Sequence, residues 1–129
     1  AQEKGIKRAM KLPVSAPFHC SLMAPAADVM SQALANTPIQ SPARPVMANV
    51  AAAPVESPDE IRELLVRQVA GRVRWREGIE ALAERGVTEA VEMGAGKVLT
   101  GLNRRIDKRV EGRAIQTPED VAAFVADLG

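Results

Sequence analysis

Two tetrapeptides constrain this chain more than any other feature: Ser57-Pro58-Asp59-Glu60 and Thr117-Pro118-Glu119-Asp120. Each offers a hydroxyl that can cap a helix and a proline whose fixed φ suits the first helical position. Each then supplies an acidic side chain that can reach back to the cap. A helix must start at both places. The first carries Ile61, Leu64, Leu65 and Val69 at core-facing spacing, and the second Val121, Phe124, Val125 and Leu128. Gly71 breaks the first of these helices, and a further helix follows with Trp75, Ile79, Leu82 and Ala83 inward, stopped at Gly86.

Strand-like runs fall between the helices. Lys7 to Leu12 reads as a short strand running into Pro13, and Val46 to Val50 as another, followed by a polar loop containing proline. Val87 to Met93 is a third, with Ala90, Val91 and Met93 as its expected buried residues. Gly94-Ala95-Gly96 then turns into a helix with Val98, Leu99, Leu102 and Ile106 at helical spacing. Earlier, Ser15 to His19 is a loop, because Pro17 disfavours helical geometry at Ala16. A helix begins near Ser21 with Leu22, Met23, Ala26, Ala27, Met30, Ala33 and Leu34 on one stripe, and Pro25 fits it only in the first turn. Strands alternating with helices predict an α/β fold.

At 129 residues the chain is one ordinary domain. Seventeen basic residues against sixteen acidic ones leave a net charge of +1, too balanced for non-specific nucleic-acid binding. No apolar run approaches the roughly 18–20 residues that cross a bilayer. Cys20 is the only cysteine, so no intrachain disulfide forms and a cytoplasmic, reducing setting is expected. The chain opens without an initiator Met, at Gln2-Glu3-Lys4-Gly5, and reads as a fragment or a processed product.

Chemistry can come from few places. His19 is the only histidine, in a loop between a strand and a helix, where α/β folds commonly place reactive groups. Imidazole suits general-base work near neutral pH, but composition alone favours a structural or surface role. One His and one Cys cannot supply a metal's ligand set, so no metal is expected. Cys20 adjoins His19, yet neighbouring side chains diverge, and an inert thiol is the simpler reading. Gly94-Ala95-Gly96-Lys97 fails as a phosphate loop because Val98 follows the lysine and Val91 stands where the first glycine belongs. A tight strand-to-helix turn accounts for it. Arg72, Arg74 and Arg76 form one basic cluster, and Arg104, Arg105, Lys108 and Arg109 a denser one that could meet an acidic partner.

The string Leu12-Pro13-Val14-Ser15-Ala16-Pro17-Phe18-His19-Cys20 resembles the segment around the general base of malonyl-CoA:acyl-carrier-protein transacylases. Met23-Ala24-Pro25-Ala26-Ala27, Arg67-Gln68, Val73-Arg74-Trp75 and the run Glu92 to Arg105 resemble the same family in order and spacing. The resemblance covers essentially the whole chain.

It implies a ping-pong transfer of malonyl from malonyl-CoA to the phosphopantetheine thiol of acyl carrier protein, through a serine in a Gly-x-Ser-x-Gly elbow. His19 would be the base, with its second nitrogen oriented by a backbone carbonyl at Arg74. Phe18 would shape the acyl pocket, and Lys7, Arg8, Arg104 and Arg105 would receive the acidic carrier. No cofactor is implied. The family likeness makes 1–13 the end of a ferredoxin-like small subdomain and 14–129 the C-terminal part of the large α/β-hydrolase-like acyltransferase domain. No Gly-x-Ser-x-Gly occurs in the 129 residues, so the nucleophile would come from a missing N-terminal part of the same enzyme. The alternative is a non-catalytic carrier-protein-binding module. A retained His19 favours the enzyme, since a binding module needs no base.

Overall fold

The computed structural model describes Gly5 and residues 14–129. The expected strand Lys7–Leu12, the docking residues Lys7 and Arg8, and the subdomain boundary at residue 13 lie outside the described residues.

A short 3-10 turn over Ser21–Met23 leads directly into helix α1, Ala24–Ala35, with Pro25 in its first turn as expected. Of the predicted stripe only Met23, Ala27 and Leu34 are half-buried, while Leu22 and Met30 are exposed. Strands β1 (Val46–Ala48) and β2 (Ala53–Val55) pair antiparallel, Val46 opposite Val55. The polar loop expected after Val46–Val50 is therefore the turn and return strand of a hairpin. Ala-Pro-Val is poor strand sequence, and only pairing with β1 makes it one. Helix α2 (Pro58–Ala70) starts where Ser57 Oγ accepts from the Glu60 amide, and it lies along α1 and the hairpin. Leu64 is buried, and Leu65 turns outward instead of inward. The helix ends at Gly71, whose backbone is extended, and only glycine fits there, since a Cβ would sit 2.6 Å from the Arg67 carbonyl oxygen and 2.7 Å from Val50.

The second half is built on a parallel pair, β3 (Glu89–Met93) and β4 (Glu111–Ile115), with Glu89 opposite Glu111 and Met93 opposite Ile115. Helix α4 (Val98–Ile106) makes the crossover, and helix α3 (Trp75–Glu84) precedes β3. Ile79, Ala83 and Val110 form the core, with Trp75, Leu82, Ala90 and Ile106 packed around them. Gly112 lets α4 sit close on β4, since a Cβ would meet Thr100 at 2.9 Å. Helix α5 (Pro118–Asp127) opens on a complete capping box: Thr117 Oγ1 accepts from the Asp120 amide, and Asp120 Oδ2 accepts from the Thr117 amide.

Three expectations about burial are corrected. Met93 is 74% exposed because it ends β3 at the rim of the two-stranded sheet. On α5, Val121, Val125 and Leu128 are exposed and only Phe124 is half-buried, beneath the Arg113 guanidinium. Val121 and Val125 line an open apolar groove with Met93 and Ile115 at the ends of β3 and β4. On α4, Val98, Leu99 and Leu102 are exposed and the buried residue is Asn103. Among the described residues no helix is long and apolar enough to cross a membrane.

Candidate active site

His19 stands in the loop between Pro17 and the 3-10 turn, with its backbone in the left-handed region at φ +58. A non-glycine residue there is unusual, and such geometry persists where surrounding contacts hold it. The imidazole supplies one such contact. Nδ1 lies 2.9 Å from the backbone carbonyl oxygen of Gln68, in the last turn of α2. Helix ends leave their final carbonyls without intrahelical partners, so this acceptor is available by construction. A carbonyl oxygen only accepts, so the pairing puts a proton on Nδ1, and in the neutral ring the lone pair is then on Nε2. The Gln68 side-chain amide also stands 3.2 Å from Nδ1, a contact that suits only the other tautomer. It has a second acceptor in the Gly71 carbonyl at 3.4 Å.

The orienting carbonyl thus belongs to Gln68, and the expectation for Arg74 is corrected. The Arg74 carbonyl accepts from the Gly78 amide at 2.9 Å and is committed to starting α3. Its amide donates to Asn49 O, and its guanidinium donates to Ala51 O and Glu77. Arg74 fastens α3 to the hairpin turn. The sequence did carry a signal for Gln68: Arg67-Gln68 is among the matched motifs, but the carbonyl's owner is not a side-chain property and leaves no mark on residue type.

Cys20 is turned away from His19, its thiol donating to Pro17 O at 3.2 Å. Phe18 is 59% exposed beside the histidine. An apolar cleft of about 230 Å³ between the hairpin and α2 is walled by Met47, Val50, Ile61 and Leu65 and reaches Gln68.

The Gly94-Ala95-Gly96 turn is structural. Gly94 and Gly96 take φ +127 and +98, where side chains are strained. The donors that a phosphate would need are used internally: Leu99 and Thr100 amides donate to the Glu92 carboxylate at 3.1 and 2.8 Å, and Gly96 N donates to Gln116 Oε1. The Thr100 amide, followed by that of Leu99, holds the Glu92 carboxyl below the ordinary glutamate range.

The basic clusters divide. Arg72 and Arg74 share Glu77 and Arg76 pairs with Glu80, so each guanidinium of the first cluster has a carboxylate partner. Arg109 pairs with Asp107 and Glu84. Arg104 and Arg105, in the last turn of α4, are exposed and have no carboxylate partner among the described residues. Arg104 and Lys108 flank an open groove that reaches Thr100, Glu111 and Gly112.

No protein-family model matches the chain. Individual proteins do. It is 44% identical over 119 residues to the malonyl CoA-acyl carrier protein transacylase of Escherichia coli strain K12, an alignment covering 92% of this chain and 38% of that protein. The crystal structure of an acyl-carrier-protein-S-malonyltransferase from Bartonella henselae superposes with a TM-score of 0.90 at 50% identity, over 100% of this chain and 41% of the other. A malonyl-transacylase solved in complex with a type II PKS acyl-carrier protein superposes at 0.88 and 38% identity, over 98% and 41% of the two chains. The chain spans about two fifths of the length of the relatives it matches. Over that span, in sequence and in backbone alike, the chain belongs to the malonyl CoA-acyl carrier protein transacylase family.

Proposed function

We propose that this chain is the base-bearing part of an enzyme that moves malonyl from malonyl-CoA to the phosphopantetheine thiol of acyl carrier protein, in fatty acid biosynthesis in the cytoplasm. The observation that carries the reading is the 2.9 Å contact of His19 Nδ1 with Gln68 O, which in the neutral imidazole places the lone pair on Nε2. A serine from the remaining part of the enzyme gives its proton to Nε2 as its oxygen attacks the thioester carbonyl. The tetrahedral intermediate collapses, and the departing coenzyme A thiolate takes the proton back. In the second half-reaction the carrier's thiol gives its proton to Nε2 and attacks the acyl-serine, and the serine leaves with that proton. The neutral Gln68 carbonyl holds the ring in register through both halves.

Supporting proposals follow from the same reading. Residues 14–129 are the last part of the large α/β-hydrolase-like domain, and 1–13 close the ferredoxin-like subdomain. Phe18, exposed beside His19, becomes a wall of the acyl pocket once the rest of the enzyme is in place. Arg104 and Arg105, with Lys7 and Arg8, receive the acidic carrier, as the solved complex of a relative with its carrier makes reasonable. A carrier-binding module without chemistry would have no use for a histidine held in the base-ready tautomer.

In the complete enzyme, His19→Ala should lower acyl transfer by about 10²–10⁴ or more, because general-base steps are worth that and site residues act as a unit. Steady-state transfer of radiolabelled malonyl to the carrier measures it. Near-normal transfer by the mutant at neutral pH removes His19 from the mechanism.

A further inference from the structure

Of the apolar residues of α4 only Ile106, at its end, packs on the core. Val98 is 69% exposed and Leu102 41%, whereas Asn103 is 4% exposed, the one buried polar residue among those described. Asn103 Oδ1 accepts from the indole Nε1 of Trp75 at 3.0 Å, joining α4 to the first turn of α3. Trp75 is itself fixed: Arg74, just before it, is bonded through its amide to Asn49 and through its guanidinium to Ala51. The donor therefore comes from an anchored ring and the acceptor from a helix whose apolar residues, Ile106 apart, look outward. A buried polar pair of this kind costs desolvation if broken and so selects one arrangement among several similar ones.

What the rotation presents comes next in the sequence. Arg104 and Arg105 close α4, unpaired with any carboxylate among the described residues. One residue of rotation turns a helix by about 100°. Burying Leu102 in place of Asn103 would swing both guanidinium groups by that angle and carry Arg104 away from the groove it shares with Lys108.

We propose that Asn103, through its hydrogen bond to Trp75, is a positioning residue for the carrier protein: it sets the rotation of α4 that presents Arg104 and Arg105 to an acidic surface. This rests on the docking role given to those arginines above. The pair acts before chemistry, on encounter and register, where complementary charges have most of their effect.

The test separates the two half-reactions of the complete enzyme, with malonyl-CoA and holo-acyl carrier protein as substrates. Asn103→Leu and Trp75→Phe, the second keeping the ring and losing the N–H, should each raise KM for the carrier by about tenfold, with acylation by malonyl-CoA changed less than about twofold. The dependence of the carrier step on ionic strength should also flatten. Asn103→Asp keeps an oxygen acceptor and should restore much of the loss. If Asn103→Leu does not fold, Trp75→Phe decides alone. Equal losses in both half-reactions, or an unmoved carrier KM in Trp75→Phe, overturn the proposal. The double reversal Arg104→Glu, Arg105→Glu is run beside them. If it slows the carrier step while the Asn103 and Trp75 variants do not, only the positioning role falls. If the carrier step ignores it, the docking role falls and takes the positioning role with it.

Discussion

Helices α3 and α4 carry apolar residues at the same helical spacing, yet they are used differently. On α3 the stripe goes inside: Ile79 and Ala83 are buried, and Trp75 and Leu82 pack beside them. On α4 the stripe is split: Ile106 packs on that same core, Val98, Leu99 and Leu102 stay exposed, and Asn103 is the buried residue. Helical spacing thus reveals that a helix has an apolar face without saying which neighbour that face meets. Helix α3 finds its neighbours in β3 and the residue before β4, all within this chain. Val98, Leu99 and Leu102 on α4 and Val121, Val125 and Leu128 on α5 stay exposed among the described residues.

The difference can be broken or sharpened by mutation. The largest effect should come from Ile79→Ala, which empties the centre of the core and should cost about 2–5 kcal/mol in urea unfolding. Leu102→Ala in the isolated chain should cost less than about 0.5 kcal/mol, as an exposed site does. The same Leu102 change in the complete enzyme should become several times more costly if the remaining part covers α4. Equal, small costs for Leu102 in both settings would mean that α4 keeps its apolar side in water.

A smaller effect is expected at α5. Thr117→Ala removes one arm of the capping box and should cost about 1 kcal/mol. Helix α5 buries nothing fully, so its local start signal carries more of its stability than Arg74 does for α3, which has a core to lean on. Hydrogen exchange would show the loss confined to α5. A loss spread evenly over β3 and β4 would show that α5 is integral to the core after all.

The subtlest difference lies in pH. Helix α4 begins on the Glu92 carboxylate, which the Thr100 and Leu99 amides hold below the ordinary value of 4.5. A carboxyl whose folded value is depressed stabilises the fold above its unfolded value and loses that contribution as pH falls through the folded one. Acidification below about pH 4.5 should therefore loosen the first turn of α4. Against partial desolvation, the Arg74 side chain likewise holds the Glu77 carboxyl, in the first turn of α3, below its ordinary value, but α3 also keeps its buried Ile79 and Ala83. Glu92→Gln should remove that part of the acid dependence. An unchanged acid profile in the variant would show that the α4 start does not depend on the charge.

Much of the molecule was legible in its residues because the signals were local. Ser57-Pro58 and Thr117-Pro118 begin helices wherever they stand, since hydroxyl, proline ring and neighbouring amides are within a turn of each other. Gly71, Gly86, Gly94 and Gly96 mark ends and turns for equally local reasons of space or positive φ. The string around His19 likewise pointed to the family. Other features depended on partners distant in the chain. Strands β2 and β4, with Pro54 in one and Gly112 and Arg113 in the other, became strands only by pairing with β1 and β3. The partner that buried Asn103 on α4 finds is Trp75, twenty-eight residues away. The carbonyl that orients His19 could not be read from side chains, because every residue has a carbonyl and only the place where α2 ends chooses Gln68 over Arg74. Residue type encodes what a segment can do within a turn of itself; which backbone oxygen or which helix face is on hand is a matter of distance in space, and the tertiary structure alone sets it.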